Sequence, residues 1–197
     1  MADTLLEQTS DRALLRDELM SLLTAGRDTT ASLLSNLFSM LARHPDTWRC
    51  QRQEMAFLAG RPPRHEQLKE LQYLQCSLNE SLRLHPPVPI GARARWSSTM
   101  STPYIGAGGS IYGSDAAAFR PERWKDGLRP GEWAFLPFSG GPRGCLGQHY
   151  ALAAVEYVTV RLGQRFTGLE ERDGRPWREE LGSTLSSRDG VWVGLRE

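Results

Sequence analysis

The sequence predicts a mainly helical protein with a minor β component. Apolar residues recur at helical spacing through most of the chain between Leu14 and Leu84. His44-Pro45 and His85-Pro86-Pro87 interrupt these runs, because proline disfavours helical geometry in the residue before it. Short β-like pieces stand near the end of the chain, at about Gly163–Leu169 and Val191–Leu195. With 197 residues, the chain has the length of one ordinary domain.

The first half of the chain predicts three helices. The longest runs from Ala13 to Ala42 and ends at His44-Pro45. We expect Asp46 to cap a second helix from about Thr47 to Leu58, because a carboxylate can accept from the unpaired N–H groups of a helix start. A third helix is predicted over Leu74–Leu84.

The helical spacing of apolar residues ends at His85-Pro86-Pro87. Val88–Trp96 has the pattern of an extended strand. Ser97–Ser114 is small, polar and rich in glycine, with little to bury. A last helix is predicted from about Leu146 to Leu162, with its apolar residues on one face.

Charge and cysteine content restrict the classes of partner. A formal net charge of +1 provides no long-range field, so neither nucleic acid nor an anionic membrane surface is indicated. Three cysteines without a CxxC spacing favour reduced thiols in a cytosolic compartment. The sequence also lacks a stretch of about 18 apolar residues and a secretory leader pattern. We therefore expect no membrane span and a cytoplasmic location for the chain as given.

The strongest chemical signal is the segment Phe138-Ser-Gly-Gly-Pro-Arg-Gly-Cys-Leu-Gly147, in which Cys145 stands among glycines. Glycines let backbone N–H groups approach a sulfur atom, and the start of the helix that follows also stabilises a thiolate. Arg143 offers a fixed fork of donors for a carboxylate. The alternative is a glycine-rich turn with an incidental buried cysteine, since free cysteine is often simply buried.

Five residues of this segment match the pattern FxxGxRxCxG: Phe138, Gly141, Arg143, Cys145 and Gly147. The segment resembles the haem-ligand motif of the cytochrome P450 family. The resemblance implies haem b as the cofactor and Cys145 as the axial ligand to its iron. It also implies that Arg143 pairs with a haem propionate, and that Phe138 packs beside the thiolate and excludes water.

Two further motifs follow the order found in that family. Glu80-Ser-Leu-Arg83 matches its ExxR motif, although taken alone such a pair usually lies on a solvated helix. Phe119-Arg-Pro-Glu-Arg-Trp124 resembles its PERF-like segment, with tryptophan in the final position. The resemblance implies a buried structural network of Glu80, Arg83 and Arg123 behind the haem.

Ala25-Gly-Arg-Asp-Thr-Thr30 resembles the oxygen-activation segment of the family's long helix. A glycine inside a helix is unfavourable by about 1 kcal/mol relative to alanine, so a packing or functional reason is expected for it. The resemblance implies that Asp28 and Thr29 deliver protons to the distal oxygen. A kinked helix with a polar stripe is the alternative.

Other polar residues carry weaker signals. The resemblance places Arg93 near a propionate, but Arg95 competes for that role, and either residue can equally be a surface charge. Cys50 and Cys76 are expected to be ordinary buried or half-buried residues. His149 is expected at the surface.

The resemblance covers only the C-terminal part of a family member: the long central helix, the ExxR helix, the cysteine loop and the helix after it. We expect residues 1–197 to form one truncated domain, with a shortened segment at about 97–111. Full-length relatives are typically anchored in the endoplasmic-reticulum membrane. The absence of the family's preceding helices predicts exposed leucines at Leu33, Leu34 and Leu37 and a chain of low stability.

The implied function is that of a haem-thiolate monooxygenase. Such an enzyme inserts one oxygen atom from O2 into an organic substrate and receives electrons from an NADPH-dependent reductase. Leu23–Thr30 and Tyr157–Leu162 resemble fungal members related to alkane and fatty-acid hydroxylases, which favours a lipophilic or secondary-metabolite substrate. The alternatives are an inactive relic or incomplete gene product of the family, and a haem-binding module without catalysis.

Overall fold

The computed structural model of the chain describes residues 9–91, 100–101, 109–131 and 134–197. Their architecture is mainly helical, with small antiparallel sheets, as the sequence predicts. Within these residues, no helix is long and apolar enough to cross a membrane.

The long helix α1 covers Arg12–Arg43, so the prediction is confirmed to within one residue at each end. The Asp11 side chain caps its start and accepts from the N–H groups of Ala13 and Leu14 at 2.9 and 3.3 Å. At its other end the helix gives way to His44, directly before a proline.

The second helix, α2, covers Pro45–Glu54 and continues into a 3₁₀ turn at Met55–Leu58. The prediction that Asp46 caps it was wrong. Pro45 takes the first helical position, where its fixed φ fits and its missing N–H has no consequence. Asp46 therefore lies inside the first turn, and its carboxylate accepts from Arg49 at 2.6 Å.

The remaining helices follow in chain order. A short helix α3, which the sequence analysis missed, covers His65–Glu70. Helix α4 covers Gln72–Leu84 and begins two residues before the predicted start. After the short helices α5 (Gly109–Tyr112) and α6 (Glu122–Lys125), helix α7 covers Gln148–Arg165.

Six short strands pair as three antiparallel ribbons in the described part of the chain. The first ribbon joins β1 (Ile90–Gly91) to β2 (Met100–Ser101), while residues 92–96 of the predicted strand lie outside the described residues. In the second, β3 (Gly168–Glu171) pairs with β6 (Val193–Arg196), close to the two predicted β-like pieces. The third is a hairpin of β4 (Glu179–Leu181) and β5 (Leu185–Ser187), which was not predicted.

The main core lies where the C-terminal half of α1 meets α2, α4 and α7. The expected exposure of Leu33, Leu34 and Leu37 was wrong: Leu33 and Leu37 are 2% and 0% exposed, and Leu34 is half-buried. Helices α4 and α7 of the same chain cover this part of α1. The exposed apolar side chains lie instead in the N-terminal half of α1, at Leu14, Leu19, Met20, Leu22 and Leu23.

One carboxylate is buried in α7 without a hydrogen-bond partner among the described residues. Glu156 is 7% exposed, and burial raises the pKa of its carboxyl to about 7, with Lys69 opposing the shift. The ordinary value is 4.5. The folded state therefore binds this proton more tightly than the unfolded state, so the stabilisation is complete below the ordinary value and is lost as the pH rises through about 7.

We expect Glu156→Gln to raise the free energy of unfolding at pH 8 by ~2 kcal/mol and to change it little at pH 5, because glutamine never ionises. Denaturant unfolding at the two pH values measures the effect. Glu66→Gln, which neutralises an exposed carboxylate on α3, is the control. An equal pH response in the two variants would contradict the assignment.

Candidate functional site

A cleft of about 380 Å3 separates the middle of α1 from the loop that precedes α7. Its volume lies in the range typical of small-molecule sites. The cleft is mostly apolar, with Leu33, Leu82, Pro137 and Tyr150 among its walls. It brings together the two motifs that lie furthest apart in the sequence. Gly26 and Thr29 line one side, and the other side is lined by Phe138, Arg143, Cys145 and Gly147.

The cysteine loop is built from two tight turns. The Ser139 N–H donates to the Leu136 carbonyl at 3.1 Å, and a 3₁₀ turn follows at Gly141–Arg143. Gly141 has a φ of +66°, in the left-handed region that favours glycine. The Cys145 N–H then donates to the Phe138 carbonyl at 2.9 Å and closes the loop. The thiol is thereby held at the cleft, three residues before α7 begins with Gln148.

Two side chains of the loop, Phe138 and Arg143, differ in their burial. Phe138 is half-buried and packs against the main core. Arg143 is exposed, and its guanidinium has no hydrogen-bond or ion-pair partner among the described residues. It is therefore free to bind an anion at the edge of the cleft.

The opposite wall contributes space and hydroxyl groups. A Cβ atom on Gly26 would meet no atom within 4 Å, so packing within the described chain does not explain the glycine. The Thr29 hydroxyl donates to the Ala25 carbonyl at 2.7 Å. The neighbouring Thr30 hydroxyl is buried and has no hydrogen-bond partner in the described chain. Sequence reasoning missed Thr30, although its place directly after Thr29 was a signal.

Asp28 does not line this cleft. Its carboxylate accepts from Arg27 at 2.7 Å, and its side chain is 37% exposed. Its role in proton delivery stays a prediction. Arg93 and Arg95 lie outside the described residues, as does most of the segment at 97–111.

The three residues predicted to form a buried network lie together behind the cleft. Arg83 donates to both carboxylate oxygens of Glu80 at 2.9 Å, and the Arg123 Nε donates to Oε1 at 2.8 Å. Glu80, Arg83 and Arg123 are 0%, 5% and 3% exposed. The exposed-pair alternative for the ExxR motif is therefore excluded.

Glu80 accepts hydrogen bonds from two further residues, which the sequence did not identify. With Arg83 and Arg123, these donors form what we call the Glu80 shell. The Arg120 backbone N–H donates to Oε1, and the Trp124 indole N–H donates to Oε2, both at 2.9 Å. Burial alone would raise the pKa of Glu80, but hydrogen bonds from Arg83 and the Arg120 N–H, with the Arg83 charge, hold it below its ordinary value. Ionised Glu80 thus stabilises the fold at neutral pH, and this contribution is lost in acid.

Arg123 also binds the backbone of the surrounding chain. Arg123 donates to the backbone carbonyls of Tyr112, Asp115 and Ala118 at 2.7, 3.1 and 3.3 Å. The Arg83 guanidinium lies 4.8 Å from the centre of the Tyr112 ring. The network thereby joins α4, α5 and α6.

The other two cysteines lie outside the cleft. Cys50 is exposed, so the expectation of a buried or half-buried residue was wrong: its position on α2 points away from the core. Cys76 is half-buried. His149 is exposed, as expected.

Comparison with known proteins gives a consistent result. The sequence model of the family described as Cytochrome P450 matches residues 2–189. The chain is 44% identical to Cytochrome P450 monooxygenase himC of Aspergillus japonicus, over 98% of this chain and 39% of the relative. It is 40% identical to Cytochrome P450 monooxygenase FPY7 of Fusarium mangiferae, over 99% of this chain and 42% of the relative. It is also 40% identical to Cytochrome P450 52A13 of Debaryomyces hansenii, over 97% of this chain and 43% of the relative.

The chain thus spans about two fifths of the length of these relatives. The alignments extend over 216, 222 and 223 positions, more than the 197 residues of the chain. Each relative therefore has residues inside the matched region that this chain lacks. The position of the shortened segment, at about 97–111, stays a prediction.

We expect Glu80→Gln to lower the free energy of unfolding by about 3 kcal/mol or more, because it leaves the buried guanidinium groups without their carboxylate. Asp46→Asn is the matched control: its partner Arg49 is also three residues away, but both side chains are exposed. Removing that pair should change stability by less than about 1 kcal/mol. Similar losses in denaturant unfolding of the two variants would show that the network adds nothing.

Proposed function

The chain belongs to the cytochrome P450 family, and we propose on that premise that it carries the haem-thiolate site of a monooxygenase. In this proposal, one oxygen atom from O2 is inserted into an organic, lipophilic substrate. The observation that carries it is the cleft in which Cys145 and Arg143 face Gly26, Thr29 and Thr30. The names of two relatives state monooxygenase activity for those proteins.

The residues around the cleft fit haem b. The Cys145 thiol is exposed at the cleft, and the walls are largely apolar, which suits a porphyrin face. Arg143 has the free guanidinium that a propionate requires. The open space beside Gly26 and the unpaired Thr30 hydroxyl provide room and a polar group on the opposite side.

When bound and held by the Cys145 sulfur, haem would supply the chemistry that cleaves the O–O bond of dioxygen. The protein's part on this side is to hold the Cys145 sulfur as a thiolate. The hydrogen bond from its own N–H to the Phe138 carbonyl fixes the loop. With haem bound, the Phe138 side chain would pack beside the sulfur and exclude water from it. Arg143 fixes the orientation of the cofactor through a carboxylate.

On the opposite side, the residues of α1 would hold and move protons. The Thr29 hydroxyl directs its own proton to the Ala25 carbonyl, so its oxygen can accept a hydrogen bond from the cleft. Asp28 lies one residue earlier on the solvent side and can exchange protons with water. Electrons would come from a separate NADPH-dependent reductase.

The first test is a carbon monoxide difference spectrum of the reduced, haem-loaded chain. We expect a thiolate-type Soret band, and we expect Cys145→Ser to abolish it, because serine provides no thiolate. Cys50→Ser removes the exposed cysteine of α2 and should leave the band unchanged. A wild-type chain without the band, or a Cys145→Ser chain that keeps it, would refute the assignment.

The second test separates a monooxygenase from a haem-binding module without turnover. With a reductase and NADPH, we expect Thr29→Ala to lower the rate of product formation by about 100-fold, the lower end of the range for a positioned acid–base group, because alanine cannot accept and relay a proton. Thr24→Ala, on the same helix but outside the cleft, is the control. Haem binding without any product in the wild-type chain would favour the module.

A further inference from the structure

Trp124 is the one member of the Glu80 shell that also reaches towards the cysteine loop. Its indole N–H donates to Glu80 Oε2 at 2.9 Å, and the residue is 9% exposed. Its ring contacts Phe135, with ring centres 4.7 Å apart and planes inclined by 50°. One side chain therefore joins the buried carboxylate to the segment that leads into the loop.

Phe135 is three positions before Phe138, the first residue of the cysteine loop. It packs against the main core and against a second apolar cluster formed by Tyr112, Ala116 and Trp124. The turn that follows ends with Phe138, whose carbonyl accepts the Cys145 N–H at 2.9 Å. The chain thus connects Phe135 directly to the acceptor that closes the cysteine loop.

We propose that Trp124 is a positioning residue for Cys145: its N–H fixes the ring to Glu80, and the ring fixes Phe135 and the loop behind it. The inference rests on the proposed function in so far as Cys145 is the haem ligand. Trp124→Phe would keep an aromatic ring but leave Arg83 as the only donor to Glu80 Oε2 among the described residues. Leucine would remove the ring contact as well.

The same chemical change can be made where no such connection exists. Trp48 on α2 is 2% exposed and packs against Phe38, but its indole N–H has no hydrogen-bond partner in the described chain. Trp48→Phe and Trp48→Leu are therefore matched controls for Trp124→Phe and Trp124→Leu. They disturb the core without removing a hydrogen bond, and among the described residues the ring contact of Trp48 is with Phe38 rather than with Phe135.

The experiment measures amide hydrogen exchange in the chain selectively labelled with [15N]cysteine. The spectrum has three signals, from Cys50, Cys76 and Cys145. Cys50 and Cys76 lie in α2 and α4, and Cys76 packs beside Trp124, so they report global and local loosening. We expect exchange of the Cys145 amide to rise several-fold in Trp124→Phe and about tenfold in Trp124→Leu, relative to Cys50 in the same sample.

Unchanged exchange at Cys145 in Trp124→Phe would overturn the proposal, as would an equal rise in the Trp48 variants. Trp124→Phe decides the question if Trp124→Leu fails to fold. In the haem-loaded chain, the share of carbon monoxide complex with the thiolate-type band should fall in Trp124→Phe and not in Trp48→Phe. If the wild-type chain lacks that band, the proposed function fails, while the exchange rates still decide whether Trp124 positions the loop.

Discussion

The buried Glu80 carboxylate is the interaction that holds α4 to the segment of chain around α6. A carboxylate without exposure to water is stable only if its oxygens are fully hydrogen-bonded. Its donors come from α4, from the backbone before α6 and from α6 itself. Because these segments are far apart in sequence, the shell is complete only when the whole region behind the cysteine loop has folded. The network thus links correct folding to the geometry of the loop.

The two halves of α1 have different environments. The C-terminal half is packed by α4 and α7 and forms the centre of the core, whereas the N-terminal half exposes leucines on several sides. The cleft begins at the boundary between the halves, where Gly26 leaves open space. A helix of 32 residues can therefore serve at one end as a structural axis and in its middle as a wall of the site.

The sequence predicted what depends on local spacing and motif order. The helix bounds of α1, the cysteine loop and three members of the buried network follow from proline positions and motif residues. The Arg120 N–H could not be predicted, since a backbone donor is placed only by tertiary structure. The β4–β5 hairpin has exposed side chains in β4 and no apolar alternation to reveal it. The expected exposure of Leu33 and Leu37 failed because the covering helices lie later in the same chain.

The exposure of the Cys145 thiol has a consequence for assembly. A solvent-accessible cysteine can be oxidised to sulfenic acid and then irreversibly to sulfinic acid, and neither form can serve as a thiolate ligand. Under the proposed function, cofactor capture and oxidation compete for the same sulfur atom from the moment the chain folds. The more slowly haem is captured, the larger is the fraction of chains whose sulfur is oxidised before it can bind the iron.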